Sequence, residues 1–183
     1  MAPVARRLRR AAARLQGEGL SLQDMARAHG PEAPGTLLLL MAAPCLLPVP
    51  GVGTVLGLGM AALAFGLWRG QAGNWLPRRV AGLVLSQQWT RRVLMFLVTT
   101  YLVAGRYARP RLTGVVAAPG RSWFAATVAA MALLIVLPIP FGNVLPAVAM
   151  MLMGVALVFR DGLAMLLGLA TAALAVTTTG ALV

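Results

Sequence analysis

Arg160 and Asp161 are adjacent opposite charges at the end of a long apolar segment. A guanidinium can bind a phosphate or carboxylate through two parallel hydrogen bonds, and a neighbouring carboxylate can orient that guanidinium or carry a proton. The same two residues would also make a simple ion pair at a helix end. The sequence therefore predicts either an anion-binding pair or a structural pair here, and it leaves both open.

The sequence contains no residue pattern that is typical of an enzyme active site. There is no HExxH, GxSxG, phosphate-loop or paired-carboxylate spacing, and His29 is the only histidine. All 16 basic residues are arginine, so lysine-based catalysis is excluded. The single cysteine, Cys45, lies in an apolar run, which excludes an intramolecular disulfide and a cysteine metal cluster. We expect no catalytic residue, no cofactor and no metal site.

Two short polar breaks interrupt the long apolar runs in the same way. The matching pieces are Leu47-Pro48-Val49-Pro50 with Leu137-Pro138-Ile139-Pro140, Gly53-Thr54-Val55-Leu56 with Gly142-Asn143-Val144-Leu145, and Trp68-Arg69 with Phe159-Arg160. Because the three pieces recur in the same order, they indicate an internal repeat. Repeat one covers residues 36–105, and repeat two covers residues 121–183.

The residue types of the breaks suggest what they do. Proline lacks an N–H and ends the first helical arm, whereas Thr54 and Asn143 are typical N-cap residues for the second arm. Each break would then point a helix N-terminus, with its partial positive charge, into the membrane. Matching breaks of this kind indicate a midplane binding site in transporters. The candidate site residues are Pro48, Pro50, Gly53, Thr54, Pro138, Pro140, Gly142, Asn143, Arg160 and Asp161.

The alternative is that the breaks serve packing alone. Small residues let helices approach each other closely in membranes. Glycines at positions 57, 59, 66 and 154 would then allow the two hairpins to nest against each other. The sequence does not separate this role from a binding role.

The composition predicts an all-α integral membrane protein. Apolar residues make up 60% of the chain, against about 45–50% in soluble proteins, and the mean hydropathy is +0.83. We expect two Pro/Gly-broken helical hairpins, Thr36–Trp68 and Trp123–Phe159, and then a transmembrane helix over Leu163–Val183. That last helix would be ~31 Å long, which matches the ~30 Å hydrocarbon core. The arms of the first hairpin, Leu37–Leu47 and Val55–Trp68, reach only ~16 and ~21 Å, so the hairpin is either re-entrant or a kinked crossing.

The net charge of +12 is distributed mainly at the ends of apolar runs. This pattern favours membrane topology and anionic lipid headgroups as partners, rather than nucleic acid. Residues 1–35 form a basic segment with a short amphipathic helix, and residues 36–183 form a single membrane domain. The apolar segment Val93–Ala104 is short, so we expect an interfacial or re-entrant helix there. A homodimer would shield the buried breaks better than a monomer.

Several of these stretches carry a family resemblance. They are LPIPFGNVLPA at 137–147, RDG at 160–162, LLPVPGVGTVLGLGMA at 46–61, WLPRR at 75–79 and RPRL at 109–112. Across residues 20–175 the chain resembles the bacterial exopolysaccharide synthesis ExoD family. It departs from that family in its few acids, with Phe159 where family members often carry a glutamate.

The resemblance implies a multi-pass protein of the bacterial inner membrane, linked to exopolysaccharide production and in some bacteria to alkaline tolerance. The basic N-terminal segment predicts that the N-terminus is cytoplasmic. It implies no known reaction. Our first hypothesis is a small transporter or lipid-handling protein whose site lies between the two broken hairpins. The alternative is a non-catalytic scaffold or assembly factor for polysaccharide-synthesis machinery. We do not expect an enzyme.

Overall fold

The regular elements of the structure, a computed structural model, are helices. It describes residues 33–46, 52–70, 95, 98–100, 102–116, 122–137 and 142–182. In chain order they are α1 (Ala33–Ala42), a 3-10 helix (Ala43–Leu46), α2 (Val52–Trp68), α3 (Thr113–Val116), α4 (Ser122–Val136), α5 (Val144–Phe159) and α6 (Gly162–Leu182). Residues 102–107 are also helical. The predicted all-α class is confirmed for these ranges.

Some predictions fall outside the described residues. They concern the basic segment up to residue 32 with its short helix, and the four prolines of the breaks, Pro48, Pro50, Pro138 and Pro140. The structure therefore addresses the breaks only through the residues that flank them.

The predicted arms are present, with shifted starts in the first hairpin. The first arm begins at Ala33 rather than Leu37, and the second begins at Val52 rather than Val55. In the second hairpin the arms are α4 and α5, and α5 ends at Phe159 as predicted. The closing helix α6 has 21 residues, and at 1.5 Å per residue it is about 31 Å long.

The arms pair between hairpins rather than within them. Helix α1 packs mainly on α5, α2 packs mainly on α4, and α6 packs on α5. Contacts between α1 and α2, or between α4 and α5, are much fewer. Each hairpin therefore depends on the other for the burial of both its arms.

Glycines form the closest points of these helix crossings. A Cβ on Gly154 of α5 would lie 2.8 Å from the Gly35 carbonyl oxygen of α1, and a Cβ on Gly35 would lie 2.8 Å from the Gly154 oxygen. A Cβ on Gly57 of α2 would lie 3.2 Å from the Ala132 oxygen of α4. The close approach that the packing alternative expects is thus observed at Gly57 and Gly154.

Burial differs sharply between the first and the last helix. In α1 every residue from Leu37 to Ala42 is 3% exposed or less, so this helix is enclosed on all sides. In α6, large apolar side chains stay exposed, namely Leu163, Leu166, Leu167 and Leu174 along one face and Val176 on another. Among the described residues, one helix, Gly162–Ala181, has the length and hydropathy to cross a membrane, and four further apolar helices are shorter.

Candidate functional site

Asp161 lies in the turn between α5 and α6, and the geometry of this turn sets the contacts of its carboxylate. Arg160 has the left-handed conformation (φ 54°, ψ 37°), and its N–H bonds the Ala156 oxygen at the end of α5. The Asp161 N–H bonds the same oxygen at 3.1 Å, the 6→1 contact of a Schellman-type helix end. Asp161 then starts α6 as its N-cap, because its Oδ1 accepts the Leu163 N–H at 3.0 Å.

The same carboxylate holds the connection between the two repeats. The Arg109 N–H donates to its Oδ2 at 3.1 Å, and Arg111 Nε donates to its Oδ1 at 3.3 Å. Beside these contacts the Gly162 N–H donates to the Arg111 oxygen at 2.7 Å. We call residues 106–112 and 160–163 the linker junction, since this single aspartate joins them.

Burial and hydrogen bonding act on Asp161 in opposite directions. The Asp161 side chain is 4% exposed and that of Arg111 is 47% exposed. Burial raises the pKa of Asp161, but hydrogen bonds from the Arg109 and Leu163 N–H groups and from Arg111 outweigh it, so its pKa lies below the usual 3.8. Asp161 is therefore a carboxylate at neutral pH, held by donors on three sides.

Backbone strain is concentrated at this junction. In the described part of the chain, the non-glycine residues with positive φ are Leu112 (50°) and Arg160 (54°), and both lie there. A Cβ on Gly162 would lie 2.5 Å from Leu112 Cβ and 2.6 Å from the Leu112 oxygen, so only glycine fits this approach. After α2 the left-handed residue is Gly70 (φ 72°), one position beyond Arg69, which is the counterpart of Arg160. The turn of the second copy therefore uses an arginine as its left-handed residue, whereas the turn of the first copy uses a glycine, which has no steric cost there.

A second candidate region lies where the two breaks meet. A Cβ on Gly53, near the start of α2, would lie 2.8 Å from Asn143 Nδ2 and 3.4 Å from the Ile135 oxygen of α4. Asn143 immediately precedes α5, and its Oδ1 is buried without a hydrogen-bond partner. The N-terminal ends of α2 and α5 thus lie side by side, next to an unpaired acceptor.

Asn143 lies at the predicted N-cap position of α5 but does not cap the helix through its side chain, and Thr54 is not the N-cap of α2. Asn143 has a helical backbone (φ −76°, ψ −18°) and makes no side-chain cap bond, because a capping side chain needs the extended backbone typical of that position. Thr54 is the third residue of α2 and is exposed, since that helix starts at Val52. Gly142 lies in the turn before Asn143.

Comparison with known proteins identifies the family. The family model described as "Exopolysaccharide synthesis, ExoD" matches residues 4–181. The chain belongs to the ExoD family. A curated relative, Protein ExoD of Rhizobium meliloti (strain 1021), is 27% identical over 157 residues, which is 82% of this chain and 65% of that protein. The chain thus spans just under two thirds of this relative's length, and no solved structure matches it.

Membership of the ExoD family confirms the resemblance and associates the chain with exopolysaccharide synthesis. Within this ExoD chain the predicted partnership of Arg160 and Asp161 is not observed, because Asp161 pairs with Arg111. Sequence reasoning missed that partner and the role of Gly162. One signal pointed to it: Asp161 is the only acid after residue 32, and two arginines of the linker, 109 and 111, were available to neutralise it.

Proposed function

We propose that this ExoD-family chain is a multi-pass protein of the bacterial inner membrane that acts as a small transporter or lipid-handling protein. Its site lies where the two breaks meet, between α2 and α5. The observation that carries the proposal is the contact of Gly53 with Asn143, whose Oδ1 is buried and unpaired. The membrane, the site and the mechanism each have separate support.

Support for a membrane location comes from the exposed face of α6. Only 33% of its most apolar window is buried, and the large apolar side chains that stay exposed there are leucines and a valine. Exposed apolar surfaces of this extent are typical of lipid or protein contacts. The exposed hydroxyls of Thr171 and Thr178 donate to the Leu167 and Leu174 oxygens of their own helix, both at 2.8 Å. The hydroxyl protons of both threonines are therefore hydrogen-bonded without water. A side chain in contact with lipid must meet this condition.

Support for an interfacial helix end comes from α2. Its last residue, Trp68, is 64% exposed, and the next residue, Arg69, lies over the Phe65 ring at 4.5 Å. Tryptophan and arginine at a helix end are typical anchors at the boundary of lipid and water. The end of α2 therefore suits the membrane surface.

The pairing of the arms supports kinked crossings over re-entrant hairpins. A re-entrant hairpin returns along its own first arm, so its two arms would contact each other along their length. Here α1 packs on α5 and α2 packs on α4, with few contacts inside either hairpin. Two kinked crossings in opposite directions produce this pairing and bring the breaks together at the centre, as in inverted-repeat transporters.

The state of Asp161 favours lipid or anion movement over proton-coupled transport. Beyond residue 32 it is the only acid, and its carboxylate is occupied by the Arg109 N–H, the Leu163 N–H and Arg111. A proton carrier must gain and lose its proton near neutral pH, whereas the pKa of Asp161 is lowered. The positive ends of two helices suit a phosphate instead, and the unpaired Asn143 Oδ1, which is an acceptor, suits an amine or hydroxyl donor of a polar headgroup.

Reconstitution into liposomes tests the proposal. The full chain is assayed for scrambling of fluorescent phospholipid and for anion and proton flux, next to the Asn143→Leu variant. The matched control is Thr54→Val, which changes an exposed polar residue in the first turn of α2. We expect scrambling or anion flux that Asn143→Leu reduces at least tenfold and Thr54→Val preserves. Vesicles that behave like empty ones, or an Asn143→Leu variant as active as the parent, would refute the site.

A scaffold for polysaccharide-synthesis machinery is the second candidate. It is favoured by the helical segment 102–107, where Leu102 is 61% exposed and Val103 is 53% exposed. Such side chains offer a surface to another membrane helix. Co-purification from native membranes tests this: Leu102→Ala with Val103→Ala should release a specific partner, and a chain that always runs alone would exclude the role.

A further inference from the structure

We infer that the linker junction binds the phosphate of an anionic phospholipid through its exposed arginines. This inference rests on the proposed membrane location and names a lipid partner at a place separate from the meeting point of the breaks. It concerns the surface end of α5, about 24 Å along the helix from Asn143 at 1.5 Å per residue.

The charge of the junction is strongly positive after its internal pairing. Its four arginines, at positions 106, 109, 111 and 160, are all exposed. Only Asp161 opposes them, and it is 3% exposed. Because that carboxylate is buried under its donors, the charged groups at the outer surface of the junction are guanidinium groups. Guanidinium groups bind phosphate through paired hydrogen bonds.

Asp161 also fixes the direction in which one of these groups points. Arg111 donates Nε to Asp161 at 3.3 Å and Nη2 to the Tyr107 oxygen at 3.4 Å. Two contacts on one side of a planar group hold it in place, while 47% of the side chain remains exposed. Arg111 is therefore a pre-oriented donor rather than a freely moving charge.

The surroundings of the arginines identify a lipid rather than a soluble anion. Tyr107, Leu112 and Leu163 are exposed by 75%, 57% and 42%, and all three belong to the junction. A soluble phosphate would gain nothing from them. An aromatic ring and two leucines beside a basic cluster fit a headgroup above and acyl chains below.

The backbone of Arg160 adds an independent indication. The turn requires a left-handed residue, and the first repeat meets that requirement with Gly70. The arginine at position 160 adds a charge to the junction at a steric cost. Strained residues that surrounding structure holds in place are frequently part of a binding site.

The test measures binding of short-chain fluorescent phosphatidylglycerol to the full chain in neutral detergent. Phosphatidylcholine and inorganic phosphate are the competitors. The variants are Arg160→Gln and Arg160→Gly, of which the glycine also relieves the strained backbone. The matched control is Arg69→Gln, an exposed arginine in the same position of the first repeat.

We expect both Arg160 variants to bind phosphatidylglycerol about fivefold more weakly, the factor that ~1 kcal/mol per arginine at an anionic surface gives. Arg69→Gln should stay within twofold of the parent. Equal binding by all three variants, or equal binding of phosphatidylcholine, would overturn the inference. Displacement of the lipid by inorganic phosphate at similar concentration would also overturn it, because the site would then recognise a soluble anion.

The outcome is separable from that of the proposed function. Scrambling by a parent chain that shows no selective, Arg160-dependent phosphatidylglycerol binding refutes only the junction site. Selective phosphatidylglycerol binding that depends on Arg160, in a chain that moves neither lipid nor ions, supports the junction and refutes the transport proposal.

Discussion

Replacing Asp161 with alanine should release the inter-repeat connection from the start of α6. The change removes the N-cap bond to Leu163, the bond to the Arg109 N–H and the ion pair with Arg111. An N-cap contributes about 1 kcal/mol, and a hydrogen bond to a charged group contributes about 1.5 kcal/mol. The ion pair adds no more than about 0.5 kcal/mol, because the arginine is half exposed and water screens it. The expected loss is about 3 kcal/mol.

Thermal unfolding of the full chain in detergent measures this loss. For proteins of this size, about 3 kcal/mol lowers the melting temperature by roughly 6–12 °C. Asp161→Asn keeps an oxygen for the Leu163 N–H and should lose about half as much. Arg111→Ala should cost about 1 kcal/mol or less, because the two backbone donors still hold the carboxylate.

The comparison of Asp161→Ala with Arg111→Ala decides whether the backbone donors or the ion pair hold the junction. If the arginine variant loses as much stability as the aspartate variant, our assignment to the backbone donors is wrong. If Asp161→Ala melts within 1 °C of the parent, the junction does not hold the connection in place.

The pH dependence of Asp161 has a definite sign. Its pKa in the folded chain is lowered from 3.8, so the unfolded chain binds the proton first as the pH falls. The stabilisation is fully present above about pH 5 and is lost as the pH falls through the lowered value. The difference in melting temperature between the parent and Asp161→Asn should therefore be constant from neutral pH to about pH 5 and shrink below about pH 4. A difference that shrinks near neutral pH would contradict the lowered pKa.

Four further substitutions, of which Gly180→Ala is a control, test the packing and the two candidate sites. Gly154→Ala should cost about 1–3 kcal/mol, because its Cβ would lie 2.8 Å from the Gly35 oxygen, whereas Gly180→Ala, with nothing within 4 Å, should be neutral or slightly stabilising in the same melting assay. Arg160→Gly should raise stability by about 1 kcal/mol in denaturant unfolding, because the left-handed residue loses its steric cost; a loss would contradict that strain. Asn143→Leu should leave the melting temperature equal or higher while it reduces transport, since its Oδ1 has no partner to lose; a large drop would indicate a structural role.

The arms of the hairpins were predictable because hydropathy and proline act locally. The ends of α5 and the length of α6 follow from the apolar runs and from the aromatic–arginine pair that closes them. The start of α2 was not predictable in the same way. Thr54 has a side chain suited to an N-cap, but the helix already begins at Val52, so Thr54 lies within the helix.

The partner of Asp161 was not predictable from local pattern, because it lies 50 residues away. The adjacent Arg160 was the natural candidate for the ion-pair partner of Asp161. Arg160 instead takes the left-handed conformation of the turn, and Asp161 bonds the linker. The same limit applies to the glycine crossings. The residue type indicated close packing, whereas the pairing of α1 with α5 depends on how the whole chain folds.

The pairing of arms between hairpins also sets the order of events during synthesis. Helix α1 is enclosed mainly by α5, which leaves the ribosome roughly a hundred residues later. At about 5–20 residues per second, that interval is on the order of 5–20 s. During this time the first hairpin has been synthesised, but the arms that it will pack against have not yet been synthesised. Its glycine-lined faces therefore need a transient binding partner. For the membrane location proposed above, a membrane insertase or a second nascent chain would cover these faces, and a chain truncated before α4 should be captured by one of them.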